Sequence, residues 1–221
     1  DGAQAMLRMA DAEGRASLIF TSAGMIGLMG LSGHGLGLCV NTLASLNNRP
    51  DGLPVAFVIR GILAQPDMDA AVRFLSHLPH ASGQNYLIGD AERIRNFECS
   101  AAGAHELEAR NGRIVHTNHP LASTDLAPDA RFSDNSRARL AQLDDHVRRG
   151  TANPVRTLKG ALEGRQPQAN ISIPRGDENA TTALMTLGAM VCEIGDEPRL
   201  FISGGPPTAD TWRGVSPTRP G

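Results

Sequence analysis

The chain has 221 residues, of which 41% are hydrophobic and 20% are charged, and its formal net charge is −2. These proportions are those of an ordinary soluble globular protein rather than of a disordered or membrane protein. The 21 basic residues form no basic stripe and no run approaches the roughly 20 apolar residues that cross a bilayer, so we expect a soluble, cytoplasmic protein with neither nucleic acid nor membrane as a partner.

The first predicted elements are three neighbouring strands. An apolar run at 16–20 leads into turn residues at 21–24, and two further apolar runs, Met25 to Leu31 and Leu36 to Leu43, are separated by Ser-Gly-His-Gly at 32–35. That separating composition is typical of a hairpin connection. The glycines do not follow the Gly-x-Gly-x-x-Gly order, and neither a phosphate-binding loop nor a coenzyme A phosphate motif is visible.

Two helices are predicted next. Residues 54–64 place apolar side chains at helical spacing, and Pro54 suits the first turn of a helix. Pro66 interrupts the pattern, and Asp67 is expected to cap a second helix over 68–78. Both helices are amphipathic, so we expect them to cover a sheet.

The rest of the chain combines strands and helices. Ser133 is predicted to cap a helix that ends at Arg149, and a shorter helix is predicted over 154–162. The segment from Gly204 is rich in Pro and Gly and is expected to be extended or loose. The strand candidates are 85–89, 93–99, 105–109, 112–117, 181–187, 189–194 and 199–202. The first four, spaced by turn residues, predict an antiparallel meander.

This order of elements predicts an α+β fold, with antiparallel sheets covered by helices. The length favours a single domain over 1–206, followed by a Pro- and Gly-rich tail over 207–221. Cys39, Cys99 and Cys192 are far apart and form no Cys-x-x-Cys pair, which indicates neither a disulfide framework nor a zinc site. We therefore expect no metal and no cofactor.

The most informative stretch is His-Thr-Asn-His at 116–119. Ile114 and Val115 suit a strand and Pro120 would end it, which places Asn118 at the rim of a sheet. A carboxamide at that point offers two N–H donors to a developing negative oxygen without adding a titratable charge, as an oxyanion site requires. Asn118 is therefore the candidate residue for acyl chemistry. The alternative is that it only caps the turn before Pro120.

Other polar or reactive residues have simpler interpretations. His116 and His119 have no Asp or Glu beside them in the motif to complete a metal site, so structural hydrogen bonding is expected. Cys39 alternates within an apolar strand and is expected to be a small buried hydrophobic residue rather than a replacement nucleophile.

Four blocks in the same order resemble the isopenicillin N acyltransferase family of autoproteolytic N-terminal nucleophile hydrolases, relatives of penicillin V acylase and bile salt hydrolase. The blocks are Thr-Ser-Ala-Gly-Met-Ile-Gly at 21–27, Gly-Leu-Gly-Leu-Cys-Val-Asn-Thr-Leu at 35–43, Gly-Leu-Pro-Val at 52–55 and Val-His-Thr-Asn-His at 115–119. The resemblance extends from about Leu18 to Pro206. It implies an αββα sandwich, in which two antiparallel sheets lie between helical layers.

In that family an N-terminal Cys, exposed by self-cleavage at a Gly–Cys bond, attacks an amide or thioester carbonyl with its own α-amino group as the base. The resemblance implies that Asn118 contributes its side chain to the oxyanion hole and that Asn41 contributes a backbone N–H. It also implies that Arg175, in Ile-Ser-Ile-Pro-Arg, is a site residue that orients a carboxylate. The alternative for Arg175 is a surface position beside Asp177 and Glu178.

The chain departs from the family pattern at its start. It begins with Asp1-Gly2, and the family's Cys and Asn-x-Asp segment are not in the sequence. We expect a part of the large subunit, with the nucleophile on an N-terminal portion or small subunit from the same precursor. The expected activity is hydrolysis, or alternatively acyl transfer, of a small-molecule acyl amide. The competing hypothesis is a non-catalytic binding or scaffold protein, and the sequence is also compatible with an oligomer.

Overall fold

A computed structural model describes residues 3–164, 171–173 and 185–217. Within these ranges the strands are β1 Gln4–Ala10, β2 Ala16–Ser22, β3 Met29–Leu31, β4 Gly37–Thr42, β5 Gln84–Gly89, β6 Ile94–Ser100, β7 Gly103–Leu107, β8 Ala189–Glu193, β9 Arg199–Ser203 and β10 Arg213–Val215. The helices are α1 Val55–Leu63, α2 Met68–His77, α3 Asp134–Arg148 and α4 Pro154–Leu162. None of these helices has the length and apolar character needed to cross a lipid bilayer.

The larger sheet is an antiparallel meander whose seven strands lie in chain order from β1 to β7. Each strand pairs with the next one along the sequence. Because successive side chains of a strand point to opposite faces, Ile19 and Tyr86 belong to the core on one face, whereas Leu18 and Phe20 belong to the core on the other. The sheet is therefore apolar on both sides and needs cover on both.

Helices α1 and α2 cover the first face. Val58 of α1 and Leu75 of α2 are fully buried against strand residues such as Leu38. Asp67 caps α2 as predicted, since its side chain accepts a hydrogen bond from the backbone N–H of Ala70 at 2.7 Å. The two helices predicted to cover a sheet are thereby confirmed.

The smaller sheet, in the order β10-β9-β8, covers the second face. Met190 and Leu200 pack against Phe20 of the larger sheet. Helix α4 lies against β8 and contacts α3, and the Lys159 ammonium of α4 lies 3.6 Å from the centroid of the Phe201 ring. The layers are thus helices, sheet, sheet and helices, which is the αββα sandwich that the resemblance implies.

Several strands differ from the sequence predictions. The pattern does not predict β1, because its four half-buried residues precede three exposed ones without alternation. β10 lies in the segment expected to be extended or loose and pairs with β9. Of the predicted strand at 181–187, residues 185–187 belong to no strand, and 181–184 lie outside the described residues.

The predicted strand at 112–117 is wrong. Asn111 and Gly112 have φ angles of 52° and 69°, and they form a tight turn that is closed by one isolated bridge. Beyond this turn the chain leaves β7 and bonds to side chains of β6 and α3 instead of to a neighbouring strand. Asn118 therefore lies on a loop and not at the end of a strand.

Candidate active site

A buried carboxylate organises the loop that carries Asn118. Glu98, on β6, has no exposed side-chain surface, and it accepts hydrogen bonds from the backbone N–H groups of residues 121–123 and from Nε2 of His116 at 2.7 Å. Burial by itself raises the pKa of Glu98, but the hydrogen bonds from His116 and the three backbone N–H groups outweigh it, so the pKa lies below its usual value. The loop is thus fixed on both sides of Asn118.

His116 completes this buried pair. Its Nδ1 lies 2.7 Å from the backbone carbonyl of Thr117, so both ring nitrogens face acceptor oxygens when Glu98 is ionised. His116 therefore has a structural hydrogen-bonding role. Among the described residues, no group of three His, Cys, Asp or Glu side chains is placed to hold a metal ion.

The first turn of α3 holds the loop from the other side. Ser133 caps the helix, and Ser136 behind it is fully buried. The Ser136 Oγ accepts a hydrogen bond from the backbone N–H of Asn118 at 2.9 Å and lies 2.8 Å from Nδ1 of His119. The Ser136 carbonyl accepts a hydrogen bond from the Thr117 hydroxyl at 2.9 Å. The loop and the start of α3 therefore form one polar unit.

The carboxamide of Asn118 lies at the end of β4. Its Nδ2 donates to the backbone carbonyl of Thr42 at 3.1 Å, and its Oδ1 accepts a hydrogen bond from Arg139 of α3 at 3.0 Å. Asn118 is exposed at this position. The two sequence blocks at 35–43 and 115–119 therefore meet here, although the bonded residues are 76 positions apart.

The end of β4 has an open edge beside Asn118, because β3 pairs with only the first two residues of β4. The backbone N–H of Leu43 donates to the carbonyl of Gly83. In an antiparallel ladder, every second residue of a strand bonds to the same neighbour, so the N–H of Asn41 also points toward β5. The N–H and the carbonyl of Thr42, which lies between Asn41 and Leu43, point away from β5. The Thr42 N–H therefore lies on the same side as the Asn118 carboxamide and has no partner among the described residues.

The other candidate residues have different positions. Asn41 is half-buried and pairs in register with Asn85, and its carboxamide makes no hydrogen bond to a described residue. The donor that Asn41 can offer to a ligand is thus its side chain rather than the expected backbone N–H. Arg175 lies outside the described residues and stays a prediction. Burial raises the pKa of the Cys39 thiol to about 11, which argues against this residue as a nucleophile.

The sequence pattern did not single out Glu98, Ser136 or Arg139. Glu98 did carry a signal, because Phe97 and Cys99 on either side of it are apolar and buried while Glu98 points to the opposite face. A carboxylate within an apolar strand needs partners. Ser136 and Arg139 carried no comparable signal, since both residue types are ordinary on a polar helix.

We expect this loop to make the fold sensitive to acid. Burial lowers the pKa of His119, and the charges of His116, Arg137 and Arg139 lower it further, although Glu98 opposes them. Because the folded pKa values of His119 and Glu98 lie below their ordinary values of 6.5 and 4.5, the unfolded chain binds more protons as the pH falls. The contribution of each group to stability is therefore complete above its ordinary pKa. It is lost as the pH falls from there through the lower pKa of the folded state.

Urea unfolding between about pH 7.5 and pH 4 measures this loss. The His119→Gln variant should show a flatter decline of the unfolding free energy in the upper part of that range, below about pH 6.5, because one titrating group is removed. If the variant and the parent lose stability with the same slope there, His119 does not titrate as expected.

Residues 5–180 of the chain match the family described as acyl-coenzyme A:6-aminopenicillanic acid acyl-transferase. The chain is also 31% identical over 105 residues to the acyl-coenzyme A:6-aminopenicillanic-acid-acyltransferase 40 kDa form of Emericella nidulans. That alignment covers 47% of this chain and 29% of the relative, so the chain spans less than a third of the relative's length.

Two solved structures share the fold at low identity. A variant of conjugated bile acid hydrolase from Clostridium perfringens has a TM-score of 0.60 at 11% identity, covering 98% of this chain and 85% of that one. Penicillin V acylase from Agrobacterium tumefaciens has a TM-score of 0.56 at 15% identity, covering 90% of this chain and 68% of that one. At these identities the likeness concerns the N-terminal nucleophile hydrolase fold alone. The family match, in contrast, spans well over half of the 221 residues, and the chain therefore belongs to the acyl-coenzyme A:6-aminopenicillanic acid acyl-transferase family.

Proposed function

We propose that this chain carries the oxyanion-binding part of an amidohydrolase or acyltransferase that acts through an acyl-enzyme, with the nucleophile on another part of the full-length protein. The observation that carries the proposal is the meeting of the Asn118 carboxamide with Thr42 at the open edge of β4. A family named for acyl transfer supports the same chemistry.

The proposed oxyanion hole contains three neutral donors. One hydrogen on Nδ2 of Asn118 is donated to the Thr42 carbonyl, which leaves the second hydrogen for a ligand. The backbone N–H of Thr42 is the second donor, and the carboxamide of Asn41 on the preceding residue is a further one. Donors that are held in place before the reaction stabilise the negative oxygen of a tetrahedral intermediate without the cost of reorganising them.

The proposed nucleophile is the thiol of an N-terminal Cys, with its own α-amino group as the base. In the first step the sulfur attacks the carbonyl carbon, the thiol proton passes to the α-amine, and negative charge develops on the carbonyl oxygen. Collapse of the intermediate breaks the C–N bond, and the leaving amine takes the proton. Water or an acceptor amine then attacks the resulting thioester and gives a proton to the α-amine. The C–S bond breaks and the released thiolate takes up that proton, which completes hydrolysis or acyl transfer.

The cysteines of this chain do not suit that role. Burial raises the pKa of the thiols of Cys39, Cys99 and Cys192, so little reactive thiolate is present at neutral pH. The nucleophile is therefore proposed to come from a segment outside these 221 residues. Arg175 is retained as a proposed site residue that orients a carboxylate on the substrate.

The proposed substrate is a small-molecule acyl amide, and hydrolysis is the proposed outcome. The names of the relatives support this class, since a conjugated bile acid hydrolase, a penicillin V acylase and an acyltransferase of 6-aminopenicillanic acid all concern an amide between an acyl group and an amine. A binding or scaffold protein that keeps the sandwich without a nucleophile is the competing function.

Mass spectrometry of the full-length protein distinguishes the two functions. The proposal expects a processed chain that begins with Cys and that gains the mass of one acyl group when it is quenched during incubation with penicillin V or a glycine-conjugated bile acid. An unprocessed chain that forms no acyl adduct and releases no amine from either probe would overturn the enzyme and favour the binding protein.

A further inference from the structure

Arg139 contacts the candidate oxyanion residue directly. It lies one turn after Ser136 on α3 and is partly buried. One guanidinium NH₂ donates to Oδ1 of Asn118 at 3.0 Å, while Nε donates to Oδ1 of Asn135 at 2.8 Å. Both of its partners are thus side-chain amides on the loop or on its own helix.

Among the residues that the structure describes, no carboxylate neutralises the charge of Arg139. Arg148 and Arg149 on the same helix form ion pairs with aspartates, whereas Arg139 has no carboxylate within ion-pair distance among the described residues. Burial lowers the pKa of its guanidinium. A partly desolvated cation exerts its field on the dipoles that it contacts, and the carbonyl of the Asn118 carboxamide is one of the two.

The orientation of a carboxamide is decided by its neighbours. A backbone carbonyl only accepts hydrogen bonds, and a guanidinium only donates them. With Thr42 on one side and Arg139 on the other, only one of the two orientations satisfies both contacts, and it directs the NH₂ of Asn118 toward the open edge of β4. In the opposite orientation, the Asn118 oxygen would face the Thr42 carbonyl oxygen, and the Asn118 NH₂ would face the N–H groups of Arg139.

We propose that Arg139 is a positioning residue for Asn118, which fixes the orientation of the carboxamide and polarises its N–H donors. A hydrogen bond from a cation to the carbonyl end withdraws electron density from the nitrogen end, and each N–H becomes a stronger donor. Arg139 therefore acts through Asn118 and touches neither the substrate nor the nucleophile. The kinetic part of this inference rests on the proposed function, whereas the structural part does not.

The kinetic experiment uses the full-length protein with penicillin V or a glycine-conjugated bile acid. Arg139→Ala should lower kcat about tenfold and leave KM nearly unchanged, because it removes one charge-assisted hydrogen bond that matters most in the transition state. Arg139→Lys should recover part of the loss. Arg137→Ala is the matched control, since Arg137 lies on the same helix over the Phe132 ring and does not contact Asn118. It should retain the parent kcat.

A double variant tests whether Arg139 acts through Asn118. In an Asn118→Ala background, Arg139→Ala should cause no further loss of kcat, because the group that it positions is already gone. A rise in KM with kcat unchanged, or a full additional tenfold loss in the Asn118→Ala background, would overturn the positioning role.

A second readout needs no activity. In ¹⁵N-edited NMR spectra, the two side-chain N–H signals of Asn118 are identified by their loss in Asn118→Asp. Arg139→Ala should shift both signals and speed their exchange with water, whereas Arg137→Ala should leave them in place. Unchanged signals in Arg139→Ala would overturn the inference even in an active enzyme. If the NMR changes occur but neither probe is cleaved, the positioning role stands and the proposed function fails.

Discussion

Replacing Glu98 by Gln should lower the unfolding free energy by about 3–5 kcal/mol, the loss that follows when a buried carboxylate is taken away from its hydrogen-bond partners. The Glu98 carboxylate is fully buried and accepts four hydrogen bonds, from His116 and from three consecutive backbone N–H groups. A Gln side chain has one acceptor oxygen and one donor group. Its NH₂ would face N–H donors and leave His116 or a backbone amide unsatisfied in the interior.

The measurement is urea unfolding of the parent and the variant. Glu106→Gln on β7 is the matched control, because Glu106 also bonds to a cation, Arg95, at 2.6 and 2.7 Å but lies at the surface. An exposed pair of this kind contributes about 0–1 kcal/mol. Equal losses in the two variants would show that burial of the Glu98 carboxylate does not organise the loop as described.

Replacing Asn118 by Ala should lower the rate of acylation by about 10² to 10³, the loss that follows removal of one oxyanion-hole donor. The substitution removes the Nδ2 donor beside Thr42 but keeps the backbone N–H that bonds to Ser136. The loop should therefore stay in place. Burst or single-turnover kinetics of the full-length protein on an acyl amide separate acylation from later steps.

Two further variants sharpen this test. Asn118→Asp keeps the size of the side chain and the contact with Arg139 but places negative charge near the developing oxyanion, so it should lose at least as much rate as Asn118→Ala. Asn153→Ala is the control, because the Asn153 side chain caps α4 through a bond to the backbone N–H of Arg156 and not through a bond to Asn118 or Thr42. It should cost about 1 kcal/mol of stability and no acylation rate. A parent-like rate in Asn118→Ala would remove the oxyanion assignment.

The bounds and caps of the helices could be predicted from local sequence. Helix α4 occupies 154–162, as predicted, and Asp67 and Ser133 cap the helices that they were expected to cap. These features depend on residues within one or two turns of each other, so spacing and capping chemistry are sufficient. The strand predicted at 112–117 fails for the opposite reason. Its β-branched residues suit a strand, but the hydrogen bonds of this segment go to side chains that are distant in sequence.

For the candidate site, the sequence indicates the residues but not their contacts. The sequence blocks indicate Asn118 and Asn41 as residues of interest, and the resemblance gives them a chemical role. The sequence does not reveal the hydrogen-bond partners of Asn118. The Thr42 carbonyl accepts a bond from its carboxamide, Arg139 donates to its carboxamide oxygen, and the Ser136 hydroxyl accepts a bond from its backbone N–H. These contacts join β4, the loop after β7 and the first turns of α3.

The sequence by itself determined the fold class, the family resemblance, the four helices of the described residues and the residue on which the chemistry is proposed to depend. Only the tertiary structure decided which groups surround that residue, where β4 is left unpaired, and why a single carboxylate on β6 can hold the loop. The physical reason is that periodicity and capping act between neighbours in the chain, whereas burial, strand register and hydrogen-bond partners are fixed when distant segments pack together.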